Sequence, residues 1–297
     1  LPNRTAEDDG FIPKLGLEWH INPDVMLYGV YSEGYRPGGT NRGRTNANGG
    51  ATLPVDYGSD ILENKEIGLK SQFANGQVQL NVVVYQMNWA DMQLEVIDPS
   101  NGLSAYGGSG NVPFQVVVGN VGDATVKGWS VDLKALLGEN LEIGFNMNKI
   151  SQAYVEGQAS YDEPRVPGGQ IPSGLEPRSS LPLFADQSWS AYVDLSGLNM
   201  FGVSGNLRIQ HNSVGESYNQ LTGGFPSYKL SQGDYQVTDA IFSLETDGWS
   251  ARIYVNNIAD TRGISYEDTQ DFDQIWGRNS SSVIRPRNFG VSFRKYF

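Results

Sequence analysis

Apolar and polar residues alternate along most of this chain with period two, the spacing at which successive side chains of an extended strand face opposite ways. Val78, Leu80, Val82 and Val84 alternate with Gln77, Gln79 and Asn81, and Trp129, Val131 and Leu133 with Ser130, Asp132 and Lys134. Leu141, Ile143, Phe145 and Met147 are interleaved with Glu142, Gly144, Asn146 and Asn148. Trp189, Ala191, Val193 and Leu195 oppose Ser188, Ser190 and Asp194, while Trp249, Ala251, Ile253 and Val255 oppose Ser250, Arg252 and Asn256. The last residues repeat the scheme, with Phe289, Val291, Phe293 and Phe297 on one face and Gly290, Ser292 and Arg294 on the other. The pattern predicts eleven strands, near residues 11–20, 25–36, 62–73, 77–97, 112–135, 141–154, 187–196, 201–212, 233–244, 249–258 and 284–297. The second and ninth alternate least well.

The connections add a second pattern. Joined in order, the strands are linked alternately by short turns and long loops. The short ones are "INPD" at 21–24, "ANG" at 74–76, "LLGEN" at 136–140, "SGLNM" at 196–200 and "ETDG" at 245–248. The long ones span 37–61, 98–111, 155–186, 213–232 and 259–283, several of them rich in Gly, Ser, Asn, Asp and Pro. In an up-and-down arrangement every short turn falls on one rim and every long loop on the other, as in a barrel with short periplasmic turns and long extracellular loops. A soluble sandwich also alternates, but its strands run to about 5 to 6 residues, whereas several runs here reach the roughly 9 to 11 that cross a bilayer at a tilt. The polar faces carry mixed charges, such as Glu66 with Lys70 and Asp132 with Lys134, which suits a wet lumen. A phenylalanine-rich ending fits the same picture, with the last strand's aromatic face in lipid and Phe297 at the inner girdle. Trp129, Trp189, Trp249, Phe289 and Phe293 are expected to face lipid or a girdle as well. The expected fold is an all-β, transmembrane, antiparallel up-and-down β-barrel.

Composition narrows the chemistry. Gly 36 and Tyr 15 suit strands and turns, and a mean hydropathy of −0.38 is neutral, since a membrane barrel has one polar face. No stretch approaches the roughly 18 apolar residues of a membrane helix, so any span must be made of strands. The net charge of −12 argues against nucleic acid, which requires clustered Lys and Arg. With no cysteine there are no disulfides, thiolate metal sites or cysteine catalysis. The opening "LPNRTAEDDG" has neither an initiator Met nor a secretion signal, as expected of a mature, trimmed or partial chain.

Six segments then resemble successive landmarks of the C-terminal barrel half of TonB-dependent outer-membrane receptors. They are "MLYGVYSEGYRPGGTN", "ENKEIGLKSQF", "VVVYQMNWADMQLEV", "NVGDATVKGWSVDLKA", "SARIYVNNIAD" and "RPRNFGVSFRKYF", in family order. Two positions depart from the family's habit: Ser130 stands where an acid is usual, and Lys295 where an aromatic is usual. The resemblance implies a 22-stranded barrel of which this chain supplies about eleven C-terminal strands. The globular plug, the TonB box and the first barrel strands are expected upstream of Leu1. It further implies active uptake in the outer membrane of a Gram-negative bacterium, without covalent chemistry or a resident cofactor. Energy would come through the TonB–ExbB–ExbD complex, and the surroundings would be outer-membrane lipid and lipopolysaccharide. A ferric siderophore is the expected ligand, with haem, cobalamin and oligosaccharide as the family's other ligand classes. A passive pore and a structural or adhesive barrel are the alternatives.

Two aromatic–basic groupings are candidates for ligand contact. Tyr35, Arg36, Asn41, Arg42 and Arg44 run from a strand into a long loop, where Arg can pair with carboxylate or catecholate oxygens and Tyr can stack. The same residues also read as a girdle tyrosine with solvated arginines. Tyr266, Trp276 and Arg278 share a later loop with Glu267, Asp268, Asp271 and Asp273, acids that lack the spacing of a known calcium loop and equally read as a solvated acidic loop. His20 and His211 are the only histidines, and neither has the partners of a metal site. His211 and Ser213 share a face, but a hydrolytic triad draws on separate segments, so no enzyme is expected.

Overall fold

The computed structural model describes residues 6–41, 56–97, 116–120, 122–156, 180–200, 202–219, 230–268 and 280–296. In chain order its strands are β1 (Lys14–Asn22), β2 (Val25–Arg36), β3 (Gly39–Thr40), β4 (Asp56–Tyr57), β5 (Asp60–Phe73), β6 (Val78–Ala90), β7 (Gln93–Ile97) and β8 (Val116–Asn120). There follow β9 (Asp123–Leu137), β10 (Leu141–Glu156), β11 (Gln187–Met200), β12 (Val203–Tyr218), β13 (Ser231–Glu245), β14 (Trp249–Asn256), β15 (Ile264–Asp268), β16 (Ser280–Val283) and β17 (Asn288–Lys295).

Eleven of these form one antiparallel path, β1-β2-β5-β6-β9-β10-β11-β12-β13-β14-β17, and each corresponds to one of the eleven strands expected. The remaining six are short hairpin strands, β3 with β4, β7 with β8 and β15 with β16, and all lie in long connections. Here the sequence reading needs correction. The run expected at 77–97 is two strands broken at Asp91, whose φ of 53° is outside the strand region. The run expected at 112–135 breaks in the same way at Gly122, φ 132°. β7 (QLEVI) alternates as the wall strands do and β8 (VVVGN) is a strand-forming apolar run, so the sequence pattern could not show that the chain leaves the wall.

The path puts every short turn at one end. β5 turns into β6 through Ala74, Asn75 and Gly76, all with positive φ, a conformation that Asn and Gly adopt at least cost. On the β1–β2 turn, the Asp24 N–H donates to Asn22 Oδ1 at 2.8 Å.

Register shows two chemically distinct faces. One rung runs Leu17, Gly29, Ile67, Val84 and Trp129 across β1, β2, β5, β6 and β9. Another runs Leu195, Leu207, Phe242, Ile253 and Val291 across β11, β12, β13, β14 and β17. These side chains are open, with Ile67 70% and Val84 59% exposed, which for a sheet this size marks a surface made for lipid. Trp129, Trp189, Trp249, Phe289 and Phe293 all stand on this face, and Trp249 stacks on Phe293 at 5.9 Å. Phe297 lies outside the described residues. The apolar stretch of β9 runs from Trp129 to Leu137, about the length that a tilted strand needs to cross a bilayer. Beyond it the same face turns polar, with Lys65, Gln86 and Lys127 on adjacent strands, while on β10 Lys149 stands level with Trp129.

The opposite face carries the charge, and it repeats one packing device. Tyr28, Tyr85, Tyr192 and Tyr254 each lie across a glycine on the neighbouring strand, respectively Gly68, Gly128, Gly144 and Gly290. A Cβ at any of these glycines would collide with the ring, so only glycine lets the aromatic cover the backbone. Tyr192 then donates to Glu142 at 2.7 Å and Tyr28 to Glu66 at 2.5 Å, in each case the residue two before the glycine. Lys134 pairs with Glu142 at 3.0 Å, and the Arg208 guanidinium lies 4.0 Å above the Tyr192 ring. This is the face that lines the lumen in a closed barrel.

Among the described residues, the one cluster of buried apolar side chains sits on the polar side at the loop end, where Met92, Ala124, Val126, Val155 and Leu181 pack together. Tyr85, Met87, Trp89, Ile150 and Ala153 surround it. At the base of the last long connection, Asn257 forms a second anchor. Its φ is 52°, its N–H donates to Asp239, and its side-chain amide bridges Thr261 and the Arg285 carbonyl.

Candidate functional site

The long connections begin where β2 and β5 leave the apolar band, and the last rung of that pair is Arg36 with Asp60. Both point to the polar side. Arg36 Nε donates to the two Asp60 carboxylate oxygens at 3.1 and 3.0 Å, and Nη2 adds a close bond to Oδ2. The Gln93 backbone N–H reaches the same carboxylate at 2.9 Å, and Arg36 Nη2 donates to the Gln93 carbonyl at 3.0 Å. The guanidinium stands 4.8 Å from the centre of the Trp89 ring. Asp60 is 1% exposed, while the Arg36 side chain remains 48% exposed. Burial works against the charge on Asp60, but Arg36 and the Gln93 N–H outweigh it and hold the carboxyl below the usual range.

From this pair a set of side-chain amides joins two loop hairpins. Gln93 Nε2 donates to the Gly58 carbonyl at 2.9 Å and the Pro37 carbonyl at 3.1 Å. Asn120 accepts from the Gly58 N–H at 2.8 Å and donates to the Asp91 carbonyl at 2.7 Å. Asn41 grips Val118 from both sides, donating to its carbonyl and accepting from its N–H at 2.8 Å each. Carboxamides suit this work because one planar group offers a donor and an acceptor, the two needs of an unpaired strand edge. The β3–β4 and β7–β8 segments are thus bound into one unit. A third connection joins the same root, where the Leu181 N–H donates to the Ala153 carbonyl at 3.0 Å and its side chain enters the buried cluster.

Of the candidates read from sequence, Arg36 and Asn41 lie within this unit. Tyr35 does not join Arg36: it pairs in register with Ile61 on the other face and packs by Gly10. Adjacent strand residues point apart, so Tyr35 and Arg36 cannot form one aromatic–basic pair. Arg42 and Arg44 lie outside the described residues, as do Trp276 and Arg278. Tyr266 stands on β15 with its side chain exposed. Of the acids near it, Glu267 is buried, its N–H bound by Gln232 at 2.9 Å and its carboxylate accepting from Ser281 at 2.7 Å, which fixes the β15–β16 hairpin. Among the described residues no three His, Cys, Asp or Glu side chains gather as a metal site. His211 sits on the apolar face, its Nδ1 2.7 Å from Thr238 Oγ1 and its ring 5.1 Å from Trp189.

Sequence reasoning missed Asp60, Gln93, Asn120 and Met92. Asp60 was legible in principle, being an acid at the end of a long loop, directly before an alternating run. The amides carry no such signal, since their partners lie up to 77 positions away.

Comparison with known proteins agrees with this fold. The model of the TonB-dependent receptor-like β-barrel family covers residues 2–258. The ferric yersiniabactin uptake receptor FyuA of Yersinia pestis superposes with a TM-score of 0.68 at 18% identity, over 96% of this chain and 37% of that one. The ferric-catecholate import receptor Fiu of E. coli K12 gives 0.63 at 14% identity, over 94% and 34%. FpvA of P. aeruginosa, bound to heterologous pyoverdines, gives 0.60 at 17% identity, over 97% and 33%. The chain spans about a third of the length of these receptors. It belongs to the TonB-dependent receptor family, as part of the β-barrel that these proteins form in the outer membrane of Gram-negative bacteria.

Proposed function

We infer that this chain is barrel wall and outer mouth of a receptor that imports a ferric siderophore, driven from the inner membrane through TonB. The observation that carries the reading is the outer unit itself: long connections rooted together on the polar side of an outer-membrane barrel, over a lumen lined with charge and tyrosine. The similar receptors named above are described as taking up ferric yersiniabactin, importing ferric catecholates and binding pyoverdines with iron. An oxygen-rich anionic chelate suits the half-open Arg36 guanidinium beside the Trp89 ring, and Arg42, Arg44, Trp276 and Arg278 are the further candidates that the sequence offers for it. The plug and the TonB contact belong to the receptor as a whole.

The test is radioiron uptake by cells producing the native polypeptide, offered ferric yersiniabactin, ferripyoverdine and a ferric catecholate in turn. One of these accumulates, and a protonophore that collapses the inner-membrane gradient abolishes the accumulation. Uptake indifferent to the protonophore would make the barrel a passive pore, and no uptake of any chelate would overturn the siderophore assignment.

A further inference from the structure

The lumen face changes character from its inner to its outer end. Inward it carries charge and tyrosine, with Lys134, Glu142 and Arg208 gathered around Tyr192. At the outer end one rung is apolar throughout, running Gly34, Leu62, Trp89 and Ala124 across β2, β5, β6 and β9. Ala124 and Trp89 serve the buried cluster. Leu62 does not: it is a half-buried leucine on the lumen face, with the bare Gly34 beside it.

A Cβ at Gly34 would meet no atom within 4 Å, and its backbone needs no positive φ. Neither the backbone nor an overlying ring demands this glycine, in contrast to Gly68, Gly128, Gly144 and Gly290. The missing side chain leaves a shallow recess that opens toward the lumen, floored by Gly34 and walled by Leu62. On its outer side stands the Arg36 guanidinium, 4.8 Å from the centre of the Trp89 ring. Nε and Nη2 of Arg36 are taken up by Asp60 and the Gln93 carbonyl, whereas Nη1 has no partner among the described residues. On the inner side the neighbours, Ser32 and Asn64, are uncharged.

We propose that this recess seats an aryl ring of the imported chelate, so that the receptor selects catecholate- or phenolate-type iron complexes over hydroxamate and carboxylate types. The inference rests on the uptake reading above and names the ligand class within it. Charge does not make the selection, because Asp60 neutralises Arg36. Flat apolar surface does. A planar ring lies on Gly34 and Leu62, reaches the Trp89 ring at an offset-stacking separation of about 4.5 to 7 Å, and turns its metal-bound oxygens toward Nη1. A hydroxamate or a citrate offers Nη1 an oxygen but has no flat face for Leu62. An aliphatic chain fills the recess but leaves the guanidinium without an acceptor.

The test is equilibrium binding of radioiron complexes to the purified full receptor. Ferric enterobactin and ferric yersiniabactin are the aryl-bearing probes, ferric citrate and ferrioxamine B the aryl-free ones. At least one aryl complex binds tenfold or more tightly than either aryl-free complex, and Gly34→Leu weakens it about tenfold by filling the recess. Gly29→Leu, on the lipid face of the same strand, leaves its affinity unchanged. Heat-modifiable migration on gels confirms that each variant is folded, and the wild-type ranking decides alone should Gly34→Leu fail that check. An aryl-free complex bound as tightly as the aryl ones, or a folded Gly34→Leu receptor with wild-type affinity, overturns this inference and leaves the uptake reading standing. Binding of no iron complex at all overturns both.

Discussion

Replacing Asp60 with Asn tests whether one buried carboxylate holds the outer unit together. The substitution preserves shape and still accepts from the Gln93 N–H, but it removes the charge that engages Arg36 through Nε at 3.1 and 3.0 Å and through Nη2. A hydrogen bond to a charged partner contributes about 1.5 to 3 kcal/mol, and breaking a buried ion pair costs about 3 to 5. Arg36 keeps 48% of its side chain in solvent, so water recovers part of the loss, leaving a net cost of about 1.5 to 3 kcal/mol. Asp60 roots one unit and not the wall, so the cost falls on local opening. Amide exchange in residues 37–41, 56–59 and 91–97 should quicken roughly 10- to 150-fold in the native receptor. The strands β9 to β14 should keep their protection, and the barrel should melt at an unchanged temperature. Unchanged exchange in those three segments, or faster exchange spread evenly over the wall, would refute the reasoning.

The same carboxylate sets a pH dependence. Its folded pKa is depressed, so its contribution is full above the unfolded value near about 3.9 and is lost as pH falls through the folded value. Pepsin cleavage of the outer unit should therefore stay slow at pH 4 and accelerate only below it; a midpoint above pH 4 would contradict the assignment. Gly68→Ala drives a Cβ into the Tyr28 ring, breaks the Tyr28–Glu66 bond, and should cost about 1 to 3 kcal/mol in urea titrations of the refolded receptor. Val82→Arg, on the apolar face, should cost about 2 to 4 kcal/mol and impair insertion, whereas Asn81→Arg, one residue away on the polar face, should be tolerated in the same assay. Asn257→Ala removes the bridge to Thr261 and Arg285, and should lower protection of the Ile258–Asp260 turn by about 2 kcal/mol while β1 to β6 exchange as before.

How much of this was legible in the sequence follows from the range of each interaction. Strand faces are local: Val82 and Asn81 declare opposite sides through their own alternation, and the wall strands could be located that way, β2 and β13 least clearly. Rim asymmetry is equally local, because a turn of four residues and a loop of twenty are distinguishable without knowing any contact. What alternation could not give is the place where a strand leaves the wall, since β6 and β7 alternate alike across the bend at Asp91. Nor could it give the stitching of the loops, where Asn41 meets Val118 across 77 positions and any Asn in either loop would have read the same.

Between these limits lies the tyrosine–glycine device, which is nonlocal but constrained. Once strand order and turn lengths are fixed, register follows, and register aligns Tyr28 with Gly68 and Tyr192 with Gly144. A glycine inside a strand weakens it, so one found on the polar face opposite a tyrosine has a packing reason to be there. Gly29 fails that test, because its rung neighbours are Leu17 and Ile67 and no ring covers it.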